Sequence, residues 1–261
     1  MAKRVWISAI HGLETEVRTL VTILKNYGLE GQGHVWMDDV SQMAWMGPRD
    51  ELLKPETSMW VVLAAPDDLQ SESIGYGLAV LALSVQAQRG KDFPIVFLFK
   101  QAPESWPVLP TPFQNAAVLD LNDPGFGPRM VALVHKKRGK LSTDYYCDVY
   151  GSPQLGQWFE VGPHAEHWTG ALFAVSQGEI LLHAVGPRGV LPERSTLEYP
   201  TKGIKIEAQE RAYTAWACQN RLSENESYFL KVDGSPGSIL FGPFAETDEP
   251  EFFVLHLLHG R

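Results

Sequence analysis

Up to about residue 140 the apolar positions alternate between short runs and helical spacing. Arg4–Ala9 (RVWISA) is a compact apolar run that predicts a strand. Leu13, Val17, Leu20, Val21, Leu24 and Tyr27 then recur at three- and four-residue intervals, which predicts an amphipathic helix stopped at Gly28. Further strands are predicted at His34–Asp39 (HVWMDD), Ser58–Ala65, Phe93–Phe99 and Ala116–Leu121. Ser73–Gly90 is apolar on nearly every side and reads as a buried helix, and Gly127–Gly139 closes the series as another helix. Alternating strands and helices imply an α/β domain whose five-stranded parallel sheet is covered on both faces. Such sheets bind ligands beyond the carboxyl ends of their strands, where the strand order reverses.

Near Ser142 the spacing changes. Nine short runs rich in aromatic and β-branched residues follow between turn residues, from DYYCDVYG (144–151) to EFFVLHLLH (251–259). That pattern predicts an all-β domain, either an antiparallel sandwich or a barrel. Gly-Pro recurs after runs at Gly162, Gly186 and Gly242, which is ordinary turn chemistry. The expected domains are therefore residues 1–140 and 141–261, with the boundary between Lys137 and Asp144.

Charge separates the halves further. Residues 1–140 carry 14 basic and 15 acidic side chains and residues 141–261 carry 8 and 16, so nearly all of the net charge of −9 lies in the second half. An acidic domain repels phosphate backbones, which argues against nucleic acid as a partner. The longest weakly polar stretch, Gly77–Val85, is too short for a bilayer, and the opening MAKRVWISAIHG lacks a leader's long apolar run and cleavage site. A cytoplasmic protein without membrane contact is expected, with Cys147 and Cys218 as buried free thiols.

The first half resembles a Toll/interleukin-1 receptor (TIR) domain of the bacterial kind, a flavodoxin-like fold, over residues 4 to about 139. VWISAIHGLETEV looks like that family's opening strand and polar loop, HVWMDD like the second strand with its acidic end, and FPIVFLF and AAVLDL like the fourth and fifth strands. In catalytic members the third strand leads into a turn of the form Ser-Pro-x-Phe-x-x-Ser-x-Trp, then a Tyr-Glu-Leu-like triplet. AAPDDLQSESIGYGL (64–78) follows this frame without gaps. Ser71 falls on the second serine and Tyr76 and Leu78 flank the glutamate position, but Ser73 replaces the tryptophan and Gly77 replaces the glutamate.

That replacement bears on the chemistry the resemblance implies. Cleaving the ribose–nicotinamide bond of NAD develops positive charge on the ribose, which a carboxylate stabilises. Losing the main electrostatic contribution typically costs a few kcal/mol, on the order of a hundredfold in rate. The resemblance thus implies a TIR-like signalling or assembly protein without inherited NAD hydrolysis, in bacterial defence or signalling. Its β-rich domain would serve as a sensor or interaction module. Self-association or a protein partner is expected, no cofactor is required, and NAD or another nucleotide is a possible ligand.

The alternative is an enzyme that cleaves an N-glycosidic bond in NAD or a nucleoside with Glu72 as the acid. ESIGYGLA is loosely similar to the glutamate turn of nucleoside deoxyribosyltransferases. The competing reading of Glu72 is an ordinary acidic residue at a helix start. Ser8, His11, Asp38 and Tyr76 are the expected ligand-binding residues in either case. Two histidine pairs, His164/His167 and His256/His259, lack a thiol or carboxylate in a matching motif, so no metal site is expected.

Overall fold

The computed structural model describes residues 3–100, 109–136, 144–244 and 251–258. The chain divides into two compact units, residues 1–109 with 113–141, and residues 142–261 with 110–112. The boundary expected between Lys137 and Asp144 falls on residues 137–143, outside those described.

The first unit runs β1 (Lys3–Ala9), α1 (Glu14–Asn26), β2 (Leu29–Val35), α2 (Arg49–Leu53), β3 (Thr57–Ala64), α3 (Glu72–Arg89), β4 (Ile95–Phe99), β5 (Ala117–Asp120) and α4 (Phe126–His135). Its strands form one parallel sheet in the order β2-β1-β3-β4-β5. The α/β architecture is the expected one. The second strand is not where the apolar pattern put it: β2 ends at Val35, and Trp36–Asp39 belong to the following loop. The strand LEGQGHV was hidden by its glycines, which the packing requires. A Cβ on Gly33 would stand 2.0 Å from the Ile7 carbonyl oxygen, and one on Gly31 would stand 3.1 Å from Leu24. As an edge strand with mostly exposed positions, β2 also lacks the apolar signature of an interior strand.

Alternation along the strands gives the sheet two unlike faces. Val5, Ile7, Met59, Val61, Val96 and Leu98 turn toward Leu20 and Leu24 of α1 and toward Met130 and Val134 of α4, in an aliphatic core. Trp6, Ser8, Trp60 and Phe97 occupy the intervening positions and make the other face aromatic. There the Trp60 indole N–H donates to Ser8 Oγ at 2.9 Å, and Phe97 packs edge-on to Phe113 at 4.9 Å. α3 is buried at every position from Ile74 to Val85, as a helix apolar on all sides must be.

At the amino ends of the strands a buried arginine ties β1 to the α2–β3 connection. Arg4 is 6% exposed. Its Nε donates to Thr57 Oγ1 at 2.8 Å, and its Nη2 donates to the Glu51 carbonyl oxygen at 2.9 Å. Its Nη1 pairs with Glu51 Oε2 at 3.0 Å. A guanidinium spends its donors in a fixed fork, so these contacts set the register of the loop.

The second unit comprises β6 (Tyr145–Ser152), β7 (Gly156–Pro163), β8 (Ala171–Val175), β9 (Glu179–Pro187), β10 (Thr201–Ala208), β11 (Arg211–Cys218), β12 (Glu226–Asp233), β13 (Ser238–Pro243) and β14 (Phe253–His256). These form two antiparallel sheets, β10-β11-β8-β13-β14 and β6-β7-β12-β9. Phe159 meets Phe173 at 5.4 Å and Tyr145 meets Phe241 at 5.1 Å, so side chains of the two sheets interdigitate as a sandwich. Each Gly-Pro pair closes a strand, since Pro163, Pro187 and Pro243 are last residues. Cys147 and Cys218 are free and buried. Among the described residues no helix is long and apolar enough to cross a membrane.

Arg4→Met keeps the aliphatic stem and removes the hydrogen bonds, leaving buried acceptors unpaired. Chemical denaturation should show a loss of about 1–3 kcal/mol, the scale for leaving buried hydrogen-bonding groups unsatisfied. A loss no larger than that of a surface Lys54→Met control would contradict this assignment.

Candidate functional site

Strand order reverses between β1 and β3, so the crevice beyond Ala9 and Ala64 is the place where a sheet of this kind takes a ligand. Three loops converge there, after β1, β2 and β3. The loop after β3 is a 3-10 turn, Pro66–Gln70, locked by the Ala65 N–H donating to Asp68 Oδ2 at 2.8 Å. The other oxygen of that carboxylate, Oδ1, lies 3.9 Å from His11 Nδ1 in the loop after β1. Asp38, in the loop after β2, accepts from Ser73 Oγ at 2.7 Å, and Ser73 is 3.0 Å from Ser71 Oγ. Asp38 thus ties its loop to the first turn of α3.

The residues expected to bind a ligand separate into two groups. His11 and Asp38 lie at this rim, both exposed. Ser8 and Tyr76 are fully buried, with Ser8 engaged by the Trp60 indole, so they belong to the core below the rim. Glu72 is the first residue of α3 and is exposed. Its carboxylate stands at the positive end of the helix dipole, in contact with solvent that screens its field.

Gly77 is the informative position. A Cβ there would stand 3.0 Å from Trp36 Cζ2 and 3.4 Å from Trp45 Cβ. Trp36 and Trp45 are 5% and 1% exposed. The volume that a longer side chain at 77 would enter therefore holds an indole. Trp36 continues an aromatic series along β2 and β1: it lies 6.2 Å from the His34 ring, which stacks on Trp6 at 5.8 Å and 25°. The Trp6 indole N–H donates to His34 Nδ1 at 3.2 Å, which leaves the histidine proton on Nε2. Burial lowers the His34 pKa from 6.5 to about 4, so the ring is neutral near pH 7.

Sequence reasoning missed Trp36, Trp45, His34, Asp68 and Ser73. Trp36 carried a signal, an apolar residue before two acids, but was assigned to a strand. Asp68 and Ser73 are small polar residues whose partners are 57 and 35 positions away in the chain. Of the paired histidines, His164 and His167 are exposed, and His259 lies outside the described residues. No group of three or more His, Cys, Asp or Glu side chains suited to a metal occurs among the described residues. Compared with known proteins, the chain matches no family model and no curated protein sequence.

Two outcomes are expected. Gly77→Ala should destabilise the protein by about 1–3 kcal/mol through overpacking against Trp36, and Trp36→Leu should remove most of that penalty in the double variant. Additive effects in the double-mutant cycle would show that the two positions do not share this space. For His34, the unfolded ring protonates near 6.5 and the folded ring near 4. Its contribution is complete above the first value and lost as pH falls through the second. The midpoint of thermal unfolding should therefore fall from about pH 6.5 to pH 4, and less steeply in His34→Asn. Superimposable pH profiles would rule out this role for His34.

Proposed function

We propose that the α/β unit is a TIR-like module that binds a ligand or assembles with a protein partner through its carboxyl edge and does not hydrolyse NAD by itself. The acidic β-rich unit serves as its sensor or interaction module. The observation that carries this reading is the packing at position 77. Glycosidic cleavage needs an anionic group facing the developing oxocarbenium charge, in a site from which water is excluded. At 77 there is no side chain, and the adjoining space holds the Trp36 indole. The carboxylates beside the crevice, Asp38 and Asp68, are engaged in holding loops, by Ser73 and by the Ala65 N–H.

The rim nonetheless offers groups suited to a polar ligand: an exposed imidazole at His11 and the amino end of α3. A nucleotide fits such donors, because a helix start complements phosphate oxygens. The setting that the resemblance implies is bacterial defence or signalling inside the cytoplasm, with self-association or a protein partner as the working state.

Incubating the full chain with NAD should release no nicotinamide above the buffer rate. Turnover in the native protein that Glu72→Gln abolishes would replace this proposal with the alternative, N-glycosidic cleavage with Glu72 as the acid. Turnover that survives Glu72→Gln would refute both readings of the site.

A further inference from the structure

The edge of a sheet is a row of unpaired backbone groups, and this chain guards most of its edges. β10 carries Lys202 and Lys205 and a bulge at Gly203. At β9, Ser195 Oγ accepts the Val185 N–H at 2.7 Å and donates to the Val185 carbonyl at 2.9 Å. At β14, Thr111 Oγ1 accepts the His256 N–H at 2.9 Å. β6 has no exposed position, and β5 has only four residues. β2, at the other end of the parallel sheet from β5, has none of these devices. Its sequence LEGQGHV contains no lysine or proline, most of its positions are exposed, and its ladder to β1 runs without a register shift. Among the described residues, no strand pairs with its outer side.

The backbone of β2 shows which groups are open. The Trp36 N–H donates to the Ala9 carbonyl at 2.8 Å, which carries the β1 ladder one residue past the strand. Successive residues of a strand point their N–H and C=O groups to opposite sides. With Trp36 turned toward β1, the groups of Leu29, Gly31, Gly33 and Val35 turn outward. These four positions lie symmetrically about Gln32. A second β2 set antiparallel across a two-fold axis at Gln32 places Leu29 against Val35 and Gly31 against Gly33. Each such pair exchanges both of its hydrogen bonds.

The side chains match about the same axis. Among the described residues of the α/β unit, the exposed large apolar side chains are Tyr27, Val35 and Met37, all within two residues of β2 or on it. Val35 is 68% exposed and Met37 69%. Across the axis Val35 meets Leu29, and Met37 falls opposite Tyr27, whose ring rests on Gly127 and which stays 43% exposed. Charge is complementary as well. Lys25, exposed in the last turn of α1, stands at the amino end of β2, and Asp38 and Asp39 follow its carboxyl end. Antiparallel pairing brings the amino end of one copy to the carboxyl end of the other, so cation meets carboxylates at both ends. Glu30 falls opposite His34, whose ring is neutral near pH 7, so no like charges oppose within the strand.

We propose that two copies of this chain pair antiparallel through β2, joining their parallel sheets across a two-fold axis at Gln32. The symmetry singles out a second copy as the occupant, because every outward group of β2 finds its counterpart in β2 itself. Such a self-complementary patch is what a closed, two-fold interface requires. The interface runs along the flank of the sheet, so it goes beyond the reading of the carboxyl edge given above. A chain that fails to dimerise this way leaves the nicotinamide-release assay and its outcome untouched.

Sedimentation velocity of the full chain, from about 1 to 200 μM, should show a monomer–dimer equilibrium, the range expected of a small interface. Val35→Lys places a charge on the exposed edge and should raise the dimer dissociation constant at least about tenfold. Lys25→Glu should raise it a few-fold. Leu155→Lys, at an exposed apolar position of the β-rich unit, should leave it unchanged. Cross-linking tests the register. Residues facing each other at Gln32 form a pair without hydrogen bonds, with Cα atoms about 4.5 Å apart, within reach of a disulfide. Gln32→Cys should therefore give a covalent dimer under mild oxidation. Glu30→Cys, more than about 10 Å from its own copy, should not. Cys147 and Cys218 are buried and do not compete. A monomer throughout the range, a dimer indifferent to Val35→Lys, or equal weakening by Leu155→Lys overturns the proposal. Cross-linking through Glu30→Cys in place of Gln32→Cys overturns it as well.

Discussion

A parallel sheet has to be covered on both faces, and in the α/β unit the covering of one face decides what the site can do. The face toward α1 and α4 is aliphatic and closes without polar groups. The face toward α3 is built from indoles and phenyl rings; the Trp60 and Trp6 indoles donate to Ser8 and His34, whereas the buried Trp36 and Trp45 indole N–H groups have no hydrogen-bond partner among the described residues. Large rings leave little room for the helix above them. α3 meets this limit with Gly77, against which Trp36 lies. Gly77 is where α3 comes close to that indole, and any side chain there would meet the ring.

The rim above that packed layer is polar and held by short-range bonds. Asp68 locks its own turn and faces His11, while Asp38 fastens the loop after β2 to α3. These carboxylates act on the backbone of the loops, so the loops after β1, β2 and β3 keep a defined spacing around the crevice. A rim fixed in this way suits recognition of a polar ligand, because less ordering entropy is lost on binding.

The β-rich unit applies the opposite economy. Its interior is ordinary, with rows of aromatic side chains from both sheets in contact. Its unusual feature lies outside, where buried Glu160 and Asp148 stand under a segment that also covers the β9 edge. Buried acids stabilise little and cost desolvation, so a purely structural sheet gains more from apolar residues there.

The sequence by itself determined the α/β order, the change to short strands near Ser142 and the confinement of negative charge to the second half, because periodicity and composition are local properties. The buried helix over Ile74–Val85 was legible for the same reason. Tertiary structure alone decided where β2 lies, since Gly31 and Gly33 are explained only by the approach of Leu24 and the Ile7 carbonyl. It also decided which candidates share the rim. His11 and Asp38 reach it, whereas Ser8 and Tyr76, equally plausible as residue types, face the core. That position 77 carries no side chain could be read from the chain, but the indole beside it comes from position 36. The Asp148–Glu160 pairing likewise depends on strand register, which brings residues 12 positions apart side by side. Local pattern fixes most of the elements, and only packing fixes the β2 edge strand and which side chains meet.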